Sequence, residues 1–246
     1  MNFHINFVTR VAVLCMAIGS ASVPVLAQGG KGNRSACDNL PNYTTLKAAL
    51  ETVVNASGNA GLSNEMWATV VNREGVVCQI VFSGDDVGDQ WPGSRAISAQ
   101  KANTANAFGL DTLALSTANL YPLVQPGASL FGLQESNPVD TDVAYKGNTK
   151  HYGQSNDPMI GQKIGGVNVF GGGLGLYDDS GIIGAVGVSG DTSCADHFIA
   201  WKVRNALGLD NVPTCDNIVF PAHPHCGNDA AEDAALAGLP LPSACP

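Results

Sequence analysis

The chemistry open to this chain rests on a short roster of side chains. Beyond the first few residues its imidazoles are His151, His197, His223 and His225, and imidazole is the side chain most often recruited as a ligand or proton carrier near neutral pH. His197 follows Asp196 at the start of an expected helix, where a neighbouring carboxylate can fix the tautomer of a ligating ring; an ordinary helix-start histidine explains the same pattern. His151 stands beside Tyr152 in an irregular stretch, and such stretches either carry function or are simply polar. His223-Pro224-His225-Cys226 has metal-ligand residue types, but the proline restricts how the two rings converge and the cysteine is wanted for a disulfide, so a surface tail is expected there. Arg95 and Lys101 could receive an anionic group, although pairing with some of the 21 acidic residues accounts for them equally well. An exposed pair of that kind would contribute little stability.

The glycines invite a phosphate-loop reading, because backbone amides at a helix start favour anions. Neither Gly171-Gly172-Gly173 nor Gly187-Val188-Ser189-Gly190 is followed by Lys-Ser or Lys-Thr, and neither has G-x-G-x-x-G spacing, so the reading fails. Ser189 sits at a strand-to-helix turn but not within G-x-S-x-G, and His197 is too close in sequence to be the usual distant base, which argues against a hydrolase. Cys194 near a helix start would have a lowered thiol pKa if free; pairing is the simpler expectation.

Six cysteines, Cys37, Cys78, Cys194, Cys215, Cys226 and Cys245, follow an N-terminal segment that reads as an export signal: Arg10 precedes an apolar run over residues 11–25 ending in Val25-Leu26-Ala27. The run is short for a membrane span, is broken by Gly19 and Pro24, and ends in small-residue cleavage chemistry. Cleavage after Ala27 removes Cys15 and Arg10 and leaves 11 basic against 21 acidic residues, a formal charge of −10. Nucleic acid and anionic membrane are poor partners for such a chain, and no later stretch is apolar for long enough to insert. An even cysteine count in an exported chain points to disulfides; short loops Cys194–Cys215 and Cys226–Cys245 are the expected pairings among the 15 that six cysteines allow. The destination is periplasmic or extracellular.

The elements that must position these groups follow from periodicity and punctuation. Residues 28–42 read as a flexible leader. Leu46, Ala49, Leu50, Val53 and Val54 recur at helical spacing behind a cap at Thr44 or Thr45, with Gly58 beyond the end. Residues 66–71 and 76–82 are β-branched and aromatic around Asn72-Arg73-Glu74-Gly75, a hairpin pattern. Residues 94–108 lack Gly and Pro and are Ala-rich, predicting a closely packed helix. A short helix is expected near 116–124, an irregular stretch to 165, and a second hairpin from 167–177 and 182–189 across Asp178-Asp179-Ser180-Gly181. The glycines from Gly171 to Gly175 suggest a bulge or a place where backbone or ligand comes close. A last helix carries Ala195, Phe198, Ile199, Val203, Ala206 and Leu207 on one face, with Ser193 and Asp196 as a capping pair and Gly208 as the stop. Residues 210–246 read as an irregular, disulfide-pinned tail.

Three stretches carry a resemblance: Trp67 through Gly75, Ser94 through Ala105, and above all Gly181-Ile182-Ile183-Gly184-Ala185-Val186-Gly187-Val188-Ser189-Gly190 feeding a helix that begins with an acid. These residues are similar to the GlcG/HbpS family of haem-binding or haem-degrading proteins, over residues 43–209. The resemblance implies an α+β fold, a small antiparallel sheet built from two hairpins and flanked by helices in a profilin-like layered arrangement, a likeness that extends to homo-oligomeric assembly and a tetrapyrrole ligand. It transfers no axial ligand. The sequence departs from the family in an insertion at about 123–165, in Gly175 where the family has proline, and in the cysteine-bearing tail.

Haem needs an axial donor, an apolar slot and groups for its propionates. The expected assignments are His197 or His151 as donor, Arg95 and Lys101 at the propionates, and Gly172 and Gly173 lining a slot between sheet and helices. A slot filled by side chains would remove the physical footing for a tetrapyrrole there. Three functions follow: an exported haem-binding protein for sequestration, delivery or sensing; a haem-degrading or oxidoreductase-accessory enzyme; and a cofactor-free sensory or structural partner of a membrane receptor.

Overall fold

The structure, a computed structural model, describes residues 37–245; the expected export signal and most of the leader lie outside them. Two hairpins build the sheet. β1 (Trp67–Asn72) and β2 (Val77–Phe82) form the first, β3 (Gly173–Asp178) and β4 (Gly181–Ser189) the second. Antiparallel pairing of β1 with β4, from Trp67 opposite Ser189 to Asn72 opposite Gly184, joins them in the order β2-β1-β4-β3.

Both faces of this sheet are covered, so every residue of β1 is buried. One face packs on α1 (Tyr43–Val54) and α5 (Ser193–Ala206): Ala68, Val70, Leu174, Leu176, Val186 and Val188 meet Leu46, Leu50, Phe198 and Trp201. On the other face Trp67, Val71, Ile80 and Ala185 meet the alanines of α2 (Ser94–Phe108). The period of two along each strand sends alternate side chains to the two layers, and Thr69 on the α2 face reaches Ser98 through a 2.7 Å hydroxyl contact.

The hairpin and helix expectations hold, with shifted edges. The second hairpin begins at Gly173 rather than residue 167. Residues 167–172 lie outside the strand, although the Gly172 carbonyl still accepts the Val188 amide at 2.8 Å. Asn42, not Thr44 or Thr45, caps α1, accepting the Thr45 amide at 3.0 Å. Thr192, not Ser193, caps α5 through the Ala195 amide, since Asp196 turns back to the Gly190 and Asp191 amides instead. Ser116 caps the short α3 (Thr117–Leu120), and a 3-10 turn at Tyr121–Val124 follows.

The inserted stretch holds α4 (Thr141–Ala144) and a 3-10 turn at Thr149–His151. It lies over the α2 layer, adding Ala144, Met159 and Ile164 to that core, and exchanges backbone bonds with Val77 at the outer strand. The tail is less irregular than expected, because Asp229–Ala237 forms a further helix, α6.

The disulfides are Cys37–Cys78, Cys194–Cys226 and Cys215–Cys245. The expected Cys194–Cys215 and Cys226–Cys245 loops are therefore corrected. Cys194 sits in the first turn of α5, whereas Asp216, next to Cys215, pairs with Arg204 in its last turn. Ten residues of helix separate the two by about 15 Å, well beyond the reach of a disulfide.

Candidate functional site

The glycine-rich entry to β3 lies between α2 and α5. A Cβ on Gly173 would stand 2.5 Å from both the Lys101 carbonyl oxygen and Thr117 Cγ2. One on Gly172 would stand 3.0 Å from Asp196 Cβ and from Lys101 Nζ, and one on Gly171 2.9 Å from His197 Cβ. These glycines let two helices approach the strand, so the expected slot at Gly172 and Gly173 is filled by protein atoms, and the tetrapyrrole has no footing at that place. A shallow recess elsewhere, lined by Ser57, Lys202, Ala234 and Gly238 among others, includes no imidazole.

Beside the glycines Lys101, fully buried, reaches Asp196 at 2.5 Å and the Val188 carbonyl at 3.2 Å, with the Phe170 ring 4.9 Å away. Asp196 spends its other oxygen on the Gly190 and Asp191 amides at 3.1 and 3.0 Å. Burial pushes the Asp196 carboxyl up to about 6 against the pull of Lys101, and burial pulls the Lys101 ammonium down against the pull of Asp196. The pair clamps the β4 exit onto α2 and α5; it leaves no cation facing solvent for a propionate.

Arg95 is used in the same manner. Its guanidinium forms a two-pronged pair with Asp157, donates to the Ala144 carbonyl at 2.7 Å and lies 3.6 Å over the Tyr152 ring. Asp157 also accepts the Gly153 and Met159 amides at 2.8 and 2.9 Å. Arg95 is thus the bolt that holds the inserted stretch on α2.

His197 is completely buried on α5. Its Nε2 lies 3.2 Å from Asn217 Oδ1 and 3.1 Å from the Ile218 amide, and Nδ1 has no partner among the described residues. Burial is the main cause that brings its pKa down to about 3, so it is neutral at any ordinary pH. Sealed between α5 and residues 217–218, it is not placed to meet an iron without opening the tail. His151 is exposed at the end of the 3-10 turn, with Nδ1 2.9 Å from Asn156 Nδ2. Of the two expected donors it alone faces solvent, and the structure does not bring it near the glycines' side chain partners Lys101 or Asp196 in any bonded contact.

The sequence reading missed three partners. Asp157 and Tyr152 hold Arg95, and Asp216 holds Arg204 by paired bonds of 2.7 and 2.8 Å while Trp201 lies 4.6 Å from that guanidinium. An available signal was scarcity: with few cations in the chain, each arginine inside an apolar-spaced helix had to find an acid.

A family model described as haem degrading protein, HbpS-like, matches residues 42–204. No curated protein matches the chain. Among solved structures, the Klebsiella pneumoniae protein ORFY is 26% identical, covering 71% of this chain and 89% of that one, with a TM-score of 0.44. PduOC, solved as a complex with heme, is 22% identical over 69% and 94% of the two chains, TM-score 0.48. A double mutant of Streptomyces reticuli HbpS is 17% identical over 81% and 99%, TM-score 0.43. The family match begins at the residue that caps α1 and ends at the buried arginine in the last turn of α5, so both hairpins and the helices around them fall inside it: this chain belongs to the HbpS-like family.

Proposed function

We propose that the protein is an exported haem-binding protein that takes up the tetrapyrrole at its surface. The observation that carries this reading is the family match across both hairpins and the helices around them. Export is supported by the pairing of all six cysteines in the described residues, since disulfides persist in oxidising compartments, and no described helix is long and apolar enough to cross a membrane.

With the space beside Gly172 and Gly173 filled, the ligand is met from outside. His151 is then the axial donor, and Lys146 and Lys150, exposed in the same inserted stretch, are the cations for the propionates in place of Arg95 and Lys101. Exposed Tyr145 supplies apolar ring surface. Homo-oligomeric assembly belongs to the same reading, because a second subunit would supply the wall that one subunit lacks.

Haem titration of the mature, oxidised protein tests it. A saturable Soret band that weakens or shifts in His151→Ala supports the proposal; an unchanged spectrum and affinity in that variant removes His151, and no band at all removes haem. A second reading, haem degradation, is favoured by the family's own description and would add biliverdin formation when a reductant is supplied. Absence of both signals would favour the cofactor-free receptor partner.

A further inference from the structure

Beyond the matched residues 42–204 the tail brings a set of soft donors to the start of α5. We propose that Cys194, Cys226 and His223 form a thiol-state binding site for a thiophilic divalent cation such as Zn2+, closed while the two cysteines are joined and opened by a dithiol reductant. The proposal does not rest on haem binding.

The geometry carries it in three ways. One donor atom from each of the three residues lies within 4.8 Å of the other two, a spread that thiolates and an imidazole close on when a metal gathers them. Cys226 Sγ accepts the Cys194 amide at 3.1 Å and lies 3.3 Å from Ser193 Oγ. Both donors, with the start of a 14-residue helix behind them, stabilise the thiolate that a metal requires. His223, only 1% exposed, places Nδ1 2.8 Å from the Pro224 carbonyl, to which it donates. That fixes the tautomer with the lone pair on Nε2, which among the described residues accepts the Gly171 amide at 3.4 Å, a long contact that a bound cation would replace. A carbonyl-oriented ring of this kind is the usual arrangement of a metal-bound histidine.

His223 and Cys226 are three apart and form a short chelating loop, while Cys194 closes the site from α5. Two thiolates and one imidazole select zinc-like cations over hard ones. The neighbouring group of His225, Asp229 and Glu232 does not compete as a candidate, because Glu232 is already engaged with the Cys226 and Asn228 amides and His225.

The chemistry balances. The dithiol gives two electrons and two protons to the Cys194–Cys226 bond and closes to its own disulfide; the two protein thiols then release their protons as the cation binds. Reoxidation by a disulfide of the same class reverses the sequence and expels the metal.

The test uses the whole mature chain, reduced with dithiothreitol, desalted without oxygen and titrated with Co2+. The expected result is near-ultraviolet thiolate-to-cobalt charge-transfer absorption saturating at about one Co2+ per chain, abolished by added Zn2+ and absent from the oxidised protein. The band disappears in the Cys194→Ser/Cys226→Ser double variant, and affinity falls at least about 10-fold in His223→Ala. His223→Asn, closer in shape, serves if the alanine variant fails to fold. A band that survives in the double variant assigns the metal to the other cysteines and overturns the proposal. So does a reduced protein with no band, unchanged affinity in both His223 variants, or loss of near-ultraviolet circular dichroism in the oxidised Cys194→Ser/Cys226→Ser variant, whose other two disulfides are intact.

Discussion

Replacing Gly173 by alanine separates a ligand slot from a packing contact, because the two accounts predict opposite signs. In open space a Cβ would help a strand residue, since glycine is destabilising there by roughly 0.5–1 kcal/mol relative to alanine. In the structure the Cβ meets the Lys101 carbonyl oxygen and Thr117 Cγ2, each at 2.5 Å, against an ordinary contact of 3.4 Å or more. Backbone on one side and a helix on the other must therefore move by about 0.9 Å. A shift of that size on the sheet face of α2 forfeits a quarter to a half of each affected dispersion contact, and overpacking of this kind costs about 1–3 kcal/mol. For a chain of this length each kcal/mol lowers Tm by about 2–4 °C, so Gly173→Ala should melt about 2–12 °C below the parent. Gly208→Ala is the control: at φ +65° with nothing within 4 Å it carries backbone strain alone, about 1 kcal/mol, or a fall of about 2–4 °C. Calorimetry on both variants, disulfides intact, decides. A Gly173→Ala protein that melts at or above the parent would refute the filled interface and restore a slot.

Acid lability follows from His197. Its folded pKa of about 3 lies below the ordinary histidine value of 6.5, so the unfolded chain binds the extra proton first, and stability is lost as pH falls from about 6.5 towards about 3, by up to about 1.4 kcal/mol per unit. Asp196, raised from 3.8 to about 6, works in the opposite direction, gaining stability as pH falls through about 6 towards 3.8; guanidinium unfolding from pH 4 to 7 should therefore show a shallower loss of stability on acidification in His197→Gln than in the parent, and parallel profiles would exclude the histidine. Asp216→Ala leaves the Arg204 guanidinium buried without its carboxylate, which should cost about 3–5 kcal/mol, while Arg204→Met with Asp216→Leu should recover most of it; denaturant midpoints measure both. Asp157→Ala should free the inserted stretch from Arg95, and limited proteolysis should then cut between residues 139 and 165 much faster while the remaining core stays intact.

What could be read without coordinates was whatever local chemistry dictates. The Ala-rich run became α2 at its expected bounds, because a stretch free of Gly and Pro has few alternatives to helix, and both hairpins appeared around their turn residues. The family resemblance lay in the same local strings and was borne out by the match over residues 42–204. Tertiary structure alone decided what those residues face. Glycines in a strand announce a close approach without saying whether backbone or ligand arrives, and here helices arrive. Lys101 and Arg95 carry the same charge on a surface or in a core, so only the positions of Asp196 and Asp157, 95 and 62 residues away, made them clamps. The expected tail pairings failed for the same reason: which end of α5 each part of the tail revisits is set by packing and not by separation along the chain.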